Sequence, residues 1–234
     1  MTATQVFTTV VQLLVLWLSI SAHEAAHAWV AERCGDSTAR LLGRVSLNPL
    51  RHLELFGSVL LPGMLLFIGV PIFGWGRLPY WEFRNFRRPY FHSLLVSAAG
   101  PAVNLLLAAL ATLAIAVAAP LLGAEARQAG LMTLLVSFMP LDAASAKLAG
   151  FPLMFTLVRL ATINAYLAVF NLLPVPPLDG GQIMLQLLPS GWAEKLAAMR
   201  PYGLIIGIAL ATLGVVSLAL APFYAILSEV INSL

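Results

Sequence analysis

Five long apolar runs constrain this chain more than any other feature of its sequence. They cover residues 6–30, 55–75, 94–122, 151–173 and 203–231. Each is about as long as the roughly 20 apolar residues that a helix needs to cross a bilayer. Backbone groups in lipid must pair within their own segment, so the runs are predicted to be helices. The sequence therefore predicts an all-α, polytopic membrane helix bundle with four to six transmembrane segments, built as one membrane-embedded domain over residues 1–234.

The composition excludes several other classes of protein. Hydrophobic residues make up 60% of the chain and charged residues only 10%, whereas soluble domains carry about 25% charged residues. This excludes a disordered chain, a nucleic-acid-binding protein and an ordinary soluble enzyme. The single cysteine, Cys34, excludes an internal disulfide and a cysteine-rich metal site. The first apolar run has no basic residue before it and exceeds signal-peptide length, so we expect a retained span.

The placement of positive charge predicts the topology. Eight of the 13 basic residues are arginines between positions 33 and 88, and short basic loops stay on the cytoplasmic side. The basic loops 33–54 and 76–92 flank the run 55–75, so a simple crossing would put one of them outside. Each half of the run 55–75 also contains three residues that are glycine or proline, and these residues interrupt a helix. We expect a re-entrant or broken element there, with the N-terminus and the loop 123–150 outside; a plain span is the alternative.

The first run contains His23-Glu24-Ala25-Ala26-His27. At helical spacing His23 and His27 project from one face and can share one metal ion, while Glu24 lies beside the first of them. Zinc favours imidazole ligands, and catalytic zinc sites use three protein ligands. Ionisable groups in an apolar helix are costly unless they are paired or ligated. A metal site is therefore favoured over two hydrogen-bonded histidines beside a buried glutamate.

A third ligand is predicted at the end of the fourth run. Pro174, Pro176 and Pro177 prevent a continuous helix there, and unwound backbone at membrane depth is tolerated where it is buried in protein or lines a wet cavity. Asp179 follows this stretch, and its carboxylate could complete a site of two histidines and one carboxylate. Asp179 also fits a helix N-cap with Gln182 at the third helical position. The two roles are compatible because a carboxylate has two oxygens.

These motifs together resemble the site-2 protease family of intramembrane zinc metalloproteases. The resemblance rests on the His23–His27 motif in a membrane helix and on Asn171 followed by the Leu178-Asp179-Gly180 turn. The stretches 47–52, 73–76 and 99–104 are similar to compact bacterial members, so the resemblance covers about residues 20–185. It implies a three-helix metalloprotease core. It also implies that the chain is a compact bacterial-type member of the family, without a PDZ domain or a nucleotide-sensing domain.

The resemblance also implies a role for each matching residue. His23, His27 and Asp179 match the ligands of one Zn²⁺ per chain, and Glu24 matches the catalytic general base. Asn171 matches an asparagine that binds substrate or stabilises the oxyanion. The catalytic residues implied by the resemblance are therefore Glu24 and Asn171.

The implied activity is that of an intramembrane zinc endopeptidase. It would hydrolyse peptide bonds of membrane-anchored protein substrates within or near the bilayer, in regulated intramembrane proteolysis. The implied location is the bacterial plasma membrane, with the active site nearer the cytoplasmic side. The expected partners are a transmembrane protein substrate and the lipid bilayer, without nucleic acid; a homo-oligomer is left open.

Two other functions remain as alternatives at this point. A transporter or ion-handling protein would also have broken helices and intramembrane carboxylates, but no internal inverted repeat is visible. A catalytically silent zinc-dependent scaffold or chaperone would share the metal ligands, but it would not need Glu24 beside an open metal position.

Several other polar residues carry weaker predictions. Asn164 and Asn104 are expected to hold helices together, with orientation of a ligand or a mutual hydrogen bond as the alternative. His52 and His92 are expected to be solvated or interfacial rather than a second metal site. Arg159, in the fourth run, is expected to extend outward or to pair with an acidic residue.

Overall fold

The computed structural model describes residues 3–68, 74–76, 81–135 and 151–232, and these residues are helical without any strand. Short 3₁₀ turns cover Pro49–Arg51, Phe83–Asn85 and Arg200–Tyr202, and Leu55–Leu60 is a π-helix. The α-helices in the described ranges are α1 (Ala3–Arg33), α2 (Thr38–Leu41), α3 (Leu61–Ile68), α4 (Pro89–Leu122), α5 (Ala124–Leu135), α6 (Pro152–Asn171), α7 (Asp179–Leu187), α8 (Ser190–Ala198), α9 (Gly203–Thr212) and α10 (Val215–Asn232).

Four described helices are long and apolar enough to cross a membrane, which confirms the predicted polytopic bundle. They are Val6–Arg33 within α1, and all of α4, α6 and α10. The predicted run 203–231 is not one helix, because Gly214 with φ +85° separates α9 from α10. Glycine adopts this left-handed conformation without steric cost, so the chain can change direction there. The 18 residues of α10 supply the span by themselves.

The helices α1 and α4 are antiparallel. His23 contacts Asn104, whereas His27, one turn further along α1, contacts Val96, eight residues earlier in α4. Farther along, the backbone N–H of Arg87 donates to the carbonyl of Cys34. The chain therefore leaves α1 and enters α4 at the same end of the bundle.

The helix α6 packs antiparallel to α4, which makes it parallel to α1. Ala108 and Ala165 share one buried cluster, and Ile115 and Val158 share another nearer the end of α4. The small side chains on α4 let the helices approach closely, as is typical of membrane helix packing. The three helices form the predicted core, and α10 packs across α4 and α6 through both clusters.

The two ends of the segment 55–75 contact each other, which excludes a plain span. The backbone N–H of Trp75 donates to the carbonyl of Gly57 at 3.2 Å, and the Ser58 hydroxyl donates to the carbonyl of Trp75 at 2.6 Å. Trp17 of α1 donates to the carbonyl of Ser58 at 2.7 Å. The segment thus starts and ends at one level beside α1; residues 69–73 and 77–80 lie outside the described part.

Two further expectations need correction. The described part of the predicted loop 123–150 is helix α5, which packs on α6 through Ala129 and Phe155; residues 136–150 lie outside the described part. Glu125 and the alanines beside it are good helix formers, so this stretch is helical despite its polarity. Arg159 does not extend outward: it is 3% exposed, with its guanidinium 5.4 Å from the centre of the Phe155 ring.

Candidate metal centre and catalytic cavity

Helices α1 and α7 bring three buried donor groups together. The Nε2 atoms of His23 and His27 lie 3.0 Å apart. Asp179 places one carboxylate oxygen 3.1 Å from Nε2 of His23 and the other 3.3 Å from Nε2 of His27. All the donor atoms lie within 4.8 Å of one another, which is close enough for one ion to bind all three residues.

Hydrogen bonds on the far side of each imidazole set its tautomer. Nδ1 of His23 lies 2.5 Å from Oδ1 of Asn104, and Nδ1 of His27 lies 2.7 Å from the carbonyl oxygen of Val96. These oxygens only accept, so both Nδ1 atoms carry the hydrogen and donate it. The lone pairs are then on the two Nε2 atoms, which face Asp179. Such outer partners fix the orientation of metal-binding histidines.

The amide of Asn104 is itself oriented by a chain of hydrogen bonds across the core. Asn164 donates to the carbonyl of Leu160 and to the hydroxyl of Ser19, both at 2.8 Å. Because a carbonyl can only accept, this fixes which end of the Asn164 amide is NH₂. Its oxygen then accepts from Asn104 at 2.7 Å, which leaves the Asn104 oxygen facing His23. The two asparagines therefore bond to each other and orient a metal-binding histidine.

Gly100 of α4 packs directly against the two imidazoles. A Cβ atom at this position would lie 2.5 Å from both Cε1 and Nε2 of His23, and it would also overlap Nε2 of His27. Only glycine leaves room for the rings in this arrangement. The sequence showed Gly100 within the stretch 99–104, but its contact with the imidazoles could not be read from spacing.

Asp179 is the first residue of α7 rather than its N-cap. The N-cap is Leu178, and no side chain caps the helix. The capping role predicted for Asp179 is therefore wrong, and its carboxylate instead faces the imidazoles. The glycines that follow allow this placement, because a Cβ at Gly180 or Gly181 would overlap the backbone of the loop 172–178.

The donor cluster opens on a cavity of about 420 Å³. Glu24 lines this cavity at 9% exposure, and its Oε2 has no hydrogen-bond partner within the described residues. Asn171, the last residue of α6, also lines it and donates one amide hydrogen to the carbonyl of Leu167 at 2.9 Å. The remaining lining is Ile20, Leu167, Phe170, Pro177, Leu178, Leu204, Gly74, Trp75, Gly76, Trp81, Gln182 and Arg200.

Residues 74–76, at the end of the segment 55–75, form part of the wall of this cavity. A Cβ at Gly76 would lie 2.9 Å from Cγ2 of Ile20 and 3.1 Å from Cγ of Glu24. The segment 74–76 is therefore in direct contact with the helix that carries Glu24. The sequence predicted an irregular element here, but its place beside the site comes from the fold.

The two other histidines do not join the metal cluster. His52 is buried at 1% exposure, and its Nε2 donates to the carbonyl of Ser46 at 2.6 Å. Burial lowers the pKa of His52, although the bond to Ser46 opposes the shift. The expectation of a solvated or interfacial His52 is therefore wrong. Nδ1 of His92 accepts from the backbone N–H of Arg88 at 3.2 Å.

The residues present fit a zinc ion. The donors are two imidazole nitrogens with free lone pairs and one carboxylate, which matches the preferred zinc chemistry. Gly100 lets α4 pack against the imidazoles without a side chain entering the site, and the cavity leaves the cluster open on another side. Three protein ligands with an open position are typical of catalytic zinc rather than structural zinc.

Comparison with known proteins gives consistent findings. The model of peptidase family M50 matches residues 11–214. The protein named "Putative zinc metalloprotease YwhC" from Bacillus subtilis (strain 168) is 34% identical over 194 residues, which is 83% of this chain and 76% of that protein. "Putative zinc metalloprotease Rip2" from Mycolicibacterium smegmatis is 28% identical over 198 residues, 83% of this chain and 64% of that protein. No solved structure matches this chain.

Proposed function

Because the chain belongs to peptidase family M50 and is a zinc metalloprotease, we propose that it cleaves membrane-anchored proteins within or near the bilayer. The observation that carries this proposal is the position of the donor cluster. His23 and His27 lie inside the membrane-length helix Val6–Arg33, and they face a cavity between helices. A substrate that is itself a membrane helix can reach such a site from the bilayer. A soluble protein would have to insert a segment into the bundle.

In this proposal His23, His27 and Asp179 hold the zinc ion. When bound, zinc polarises the scissile carbonyl and lowers the pKa of water to about 7. Glu24 takes a proton from the attacking water and returns it to the leaving amine, help that is typically worth about 10²–10⁴-fold. Glu24 lines the cavity, and its buried Oε2 has no hydrogen-bond partner within the described residues, which supports this role.

Asn171 is proposed to bind the substrate backbone or the developing oxyanion. A side-chain amide has two N–H donors, and Leu167 uses one of them. The second remains for a carbonyl of the substrate. Asn171 is half-buried on the cavity wall, where a donor aimed at developing charge would contribute to catalysis.

The chemistry of a helical substrate requires it to unwind before cleavage. The backbone carbonyls of an α-helix accept hydrogen bonds from N–H groups four residues later in the same helix. The scissile carbonyl must be released from such a bond before it can face the donor cluster. We propose that the segment 55–75 acts as a platform or gate; a photo-crosslinker at Trp75 that never captures bound substrate would contradict this.

We further propose that the active site lies nearer the cytoplasmic face of a bacterial plasma membrane. Six residues separate His27 from Arg33, about 9 Å of helix. Single cysteines placed at Ser190 and at Ala124, at opposite ends of the bundle, would test this in intact cells. A membrane-impermeant thiol reagent should label only position 124; labelling of position 190 alone would reverse the orientation.

The central experiment measures zinc content and cleavage of a model transmembrane substrate by purified protein. Glu24→Gln should retain zinc and lose cleavage, while Asp179→Ala should lose zinc. Glu194→Gln, at an exposed site on α8 outside the cavity lining, is the matched control and should behave as the unmodified protein. Cleavage that persists in Glu24→Gln would overturn the mechanism.

A further inference from the structure

One exposed cation lies at the edge of the catalytic cavity. Arg200 opens the turn Arg200–Tyr202 and lines the cavity together with the donor cluster and Glu24. Within the part of the chain that the structure describes, its guanidinium forms no hydrogen bond or ion pair. The carboxylates of Glu24 and Asp179 are committed to the proposed chemistry, so Arg200 is the charged group that is left on the described lining to meet a ligand.

The position of Arg200 is fixed by tight backbone packing. Three residues later, a Cβ at Gly203 would overlap the carbonyl oxygen of Pro176. One turn further, a Cβ at Gly207 would lie 3.2 Å from Leu178 and 3.4 Å from Phe170. The turn is therefore held against the loop that delivers Asp179. The backbone that carries Arg200 therefore keeps its place relative to the metal donors, and the exposed side chain extends from it.

The cavity places Arg200 within reach of a bound substrate. Arg200 lines the same cavity as the donor cluster, so an extended chain bound at the donors, at about 3.4 Å per residue, passes Arg200 within a few residues of the scissile bond. When the scissile bond lies at the donor cluster, a substrate side chain a few residues away lies at the edge of the cavity, beside Arg200. Gln182, three residues after Asp179 on the same face of α7, also lines the cavity and presents an uncharged amide to the substrate.

From this arrangement we propose that Arg200 binds a substrate carboxylate a few residues from the scissile bond and so determines specificity. The planar guanidinium presents paired donors that match a carboxylate. The carboxylate is an acidic side chain or the C-terminus of a trimmed substrate. This proposal rests on the proposed endopeptidase function.

The test compares kcat/KM for soluble peptides that differ at one position near the cleaved bond. Amidated peptides carry Asp, Asn or Lys there, and a further Asn peptide ends at that position with a free carboxylate. The unmodified protein should favour Asp over Lys about threefold to tenfold, as expected for a partly exposed pair. Arg200→Glu should reverse the order, and Arg200→Lys should keep it with a smaller ratio. Preference for the free-carboxylate peptide alone would assign the C-terminus as the ligand.

Lys195→Glu is the matched control for surface charge. Lys195 is exposed on α8, with its Nζ 5.0 Å from the centre of the Trp192 ring, and it does not line the cavity. This variant should keep the selectivity of the unmodified protein. Reversal by Lys195→Glu as well would assign the effect to general charge, and equal ratios in Arg200→Glu and the unmodified protein would overturn the proposal.

A binding measurement separates this proposal from the proposed function. The same peptides, labelled with a fluorophore, are titrated onto the Glu24→Gln protein with and without Arg200→Glu. The order of the dissociation constants for Asp and Lys peptides should reverse with the second substitution. This readout needs no turnover and no membrane-anchored substrate, so failure to cleave such substrates would not affect it.

Discussion

Replacement of Gly100 by alanine tests the packing of α4 against the metal centre. The new Cβ would lie 2.5 Å from two atoms of the His23 ring, whereas uncrowded contacts need about 3.5 Å or more. Something must therefore move by about 1 Å. Metal–ligand distances tolerate only about 0.2 Å, so a shift of the ring displaces Nε2 from the site.

Movement of α4 instead of the rings would also weaken the site. It would stretch the bonds from His23 to Asn104 and from His27 to the carbonyl of Val96, and loss of such partners typically costs about 10–100-fold in metal affinity. By either route we expect zinc affinity to fall about 10–100-fold. The overpacked core should also lose about 1–3 kcal/mol of unfolding free energy.

The assay is zinc affinity by chelator competition, read beside thermal unfolding of the metal-free protein. Gly130→Ala is the control, because its Cβ would meet the side chain of Met154 at 3.0 Å, and methionine adapts easily. Both glycines lie within helices, so the gain in helix propensity is similar. Equal zinc affinity in the two variants would refute the reasoning.

Three further predictions follow from the same structure. Asn104→Leu should lower zinc affinity about 10–100-fold, while Asn104→Asp, which keeps an acceptor for His23, should lose less; chelator competition distinguishes them. Removal of zinc with a chelator should lower the melting temperature, and zinc at about 100 times its dissociation constant should restore roughly 2.7 kcal/mol, a gain that Asp179→Ala should lack. Burial alone would raise the pKa of Asp36, but hydrogen bonds from Thr38, Asn85 and the backbone of Glu82 outweigh it and hold that pKa below its usual value. The stabilisation is therefore complete above about pH 5 and is lost as the pH falls through the folded-state pKa. Thermal unfolding against pH should show a steeper acid loss in the unmodified protein than in Asp36→Asn; parallel curves would contradict this.

The two histidines of the donor set could be predicted from the sequence because their spacing is local. His23 and His27 are one helical turn apart. Ionisable side chains are energetically costly in an apolar helix unless they are paired or ligated, so this pair indicates a functional site. Asp179 was predictable because prolines force the chain to unwind just before it. Its supposed capping role was wrong because the cap and ligand positions differ by one residue, which depends on how the loop 172–178 packs.

The sequence left open which of the supporting polar residues bond to each other. Ser19, Asn104 and Asn164 bond across separations of 60 and 145 residues, and no local pattern specifies such pairings. The burial of His52 and Arg159 likewise results from neighbouring elements covering residues that would be exposed on an isolated segment. The apolar run 203–231 predicts one helix through Gly214, whereas the structure has two, because hydrophobicity alone does not show a change of chain direction.

The sequence by itself determined that this chain forms membrane helices and carries a histidine–glutamate metal motif. Both follow from local chemistry: backbone groups must pair within each apolar segment, and helical spacing aligns the two imidazoles. Only the tertiary structure decided which tautomer each imidazole adopts, why position 100 must be glycine, and which wall of the cavity carries Arg200. These depend on the relative positions of elements far apart in the chain, which packing of the whole bundle sets.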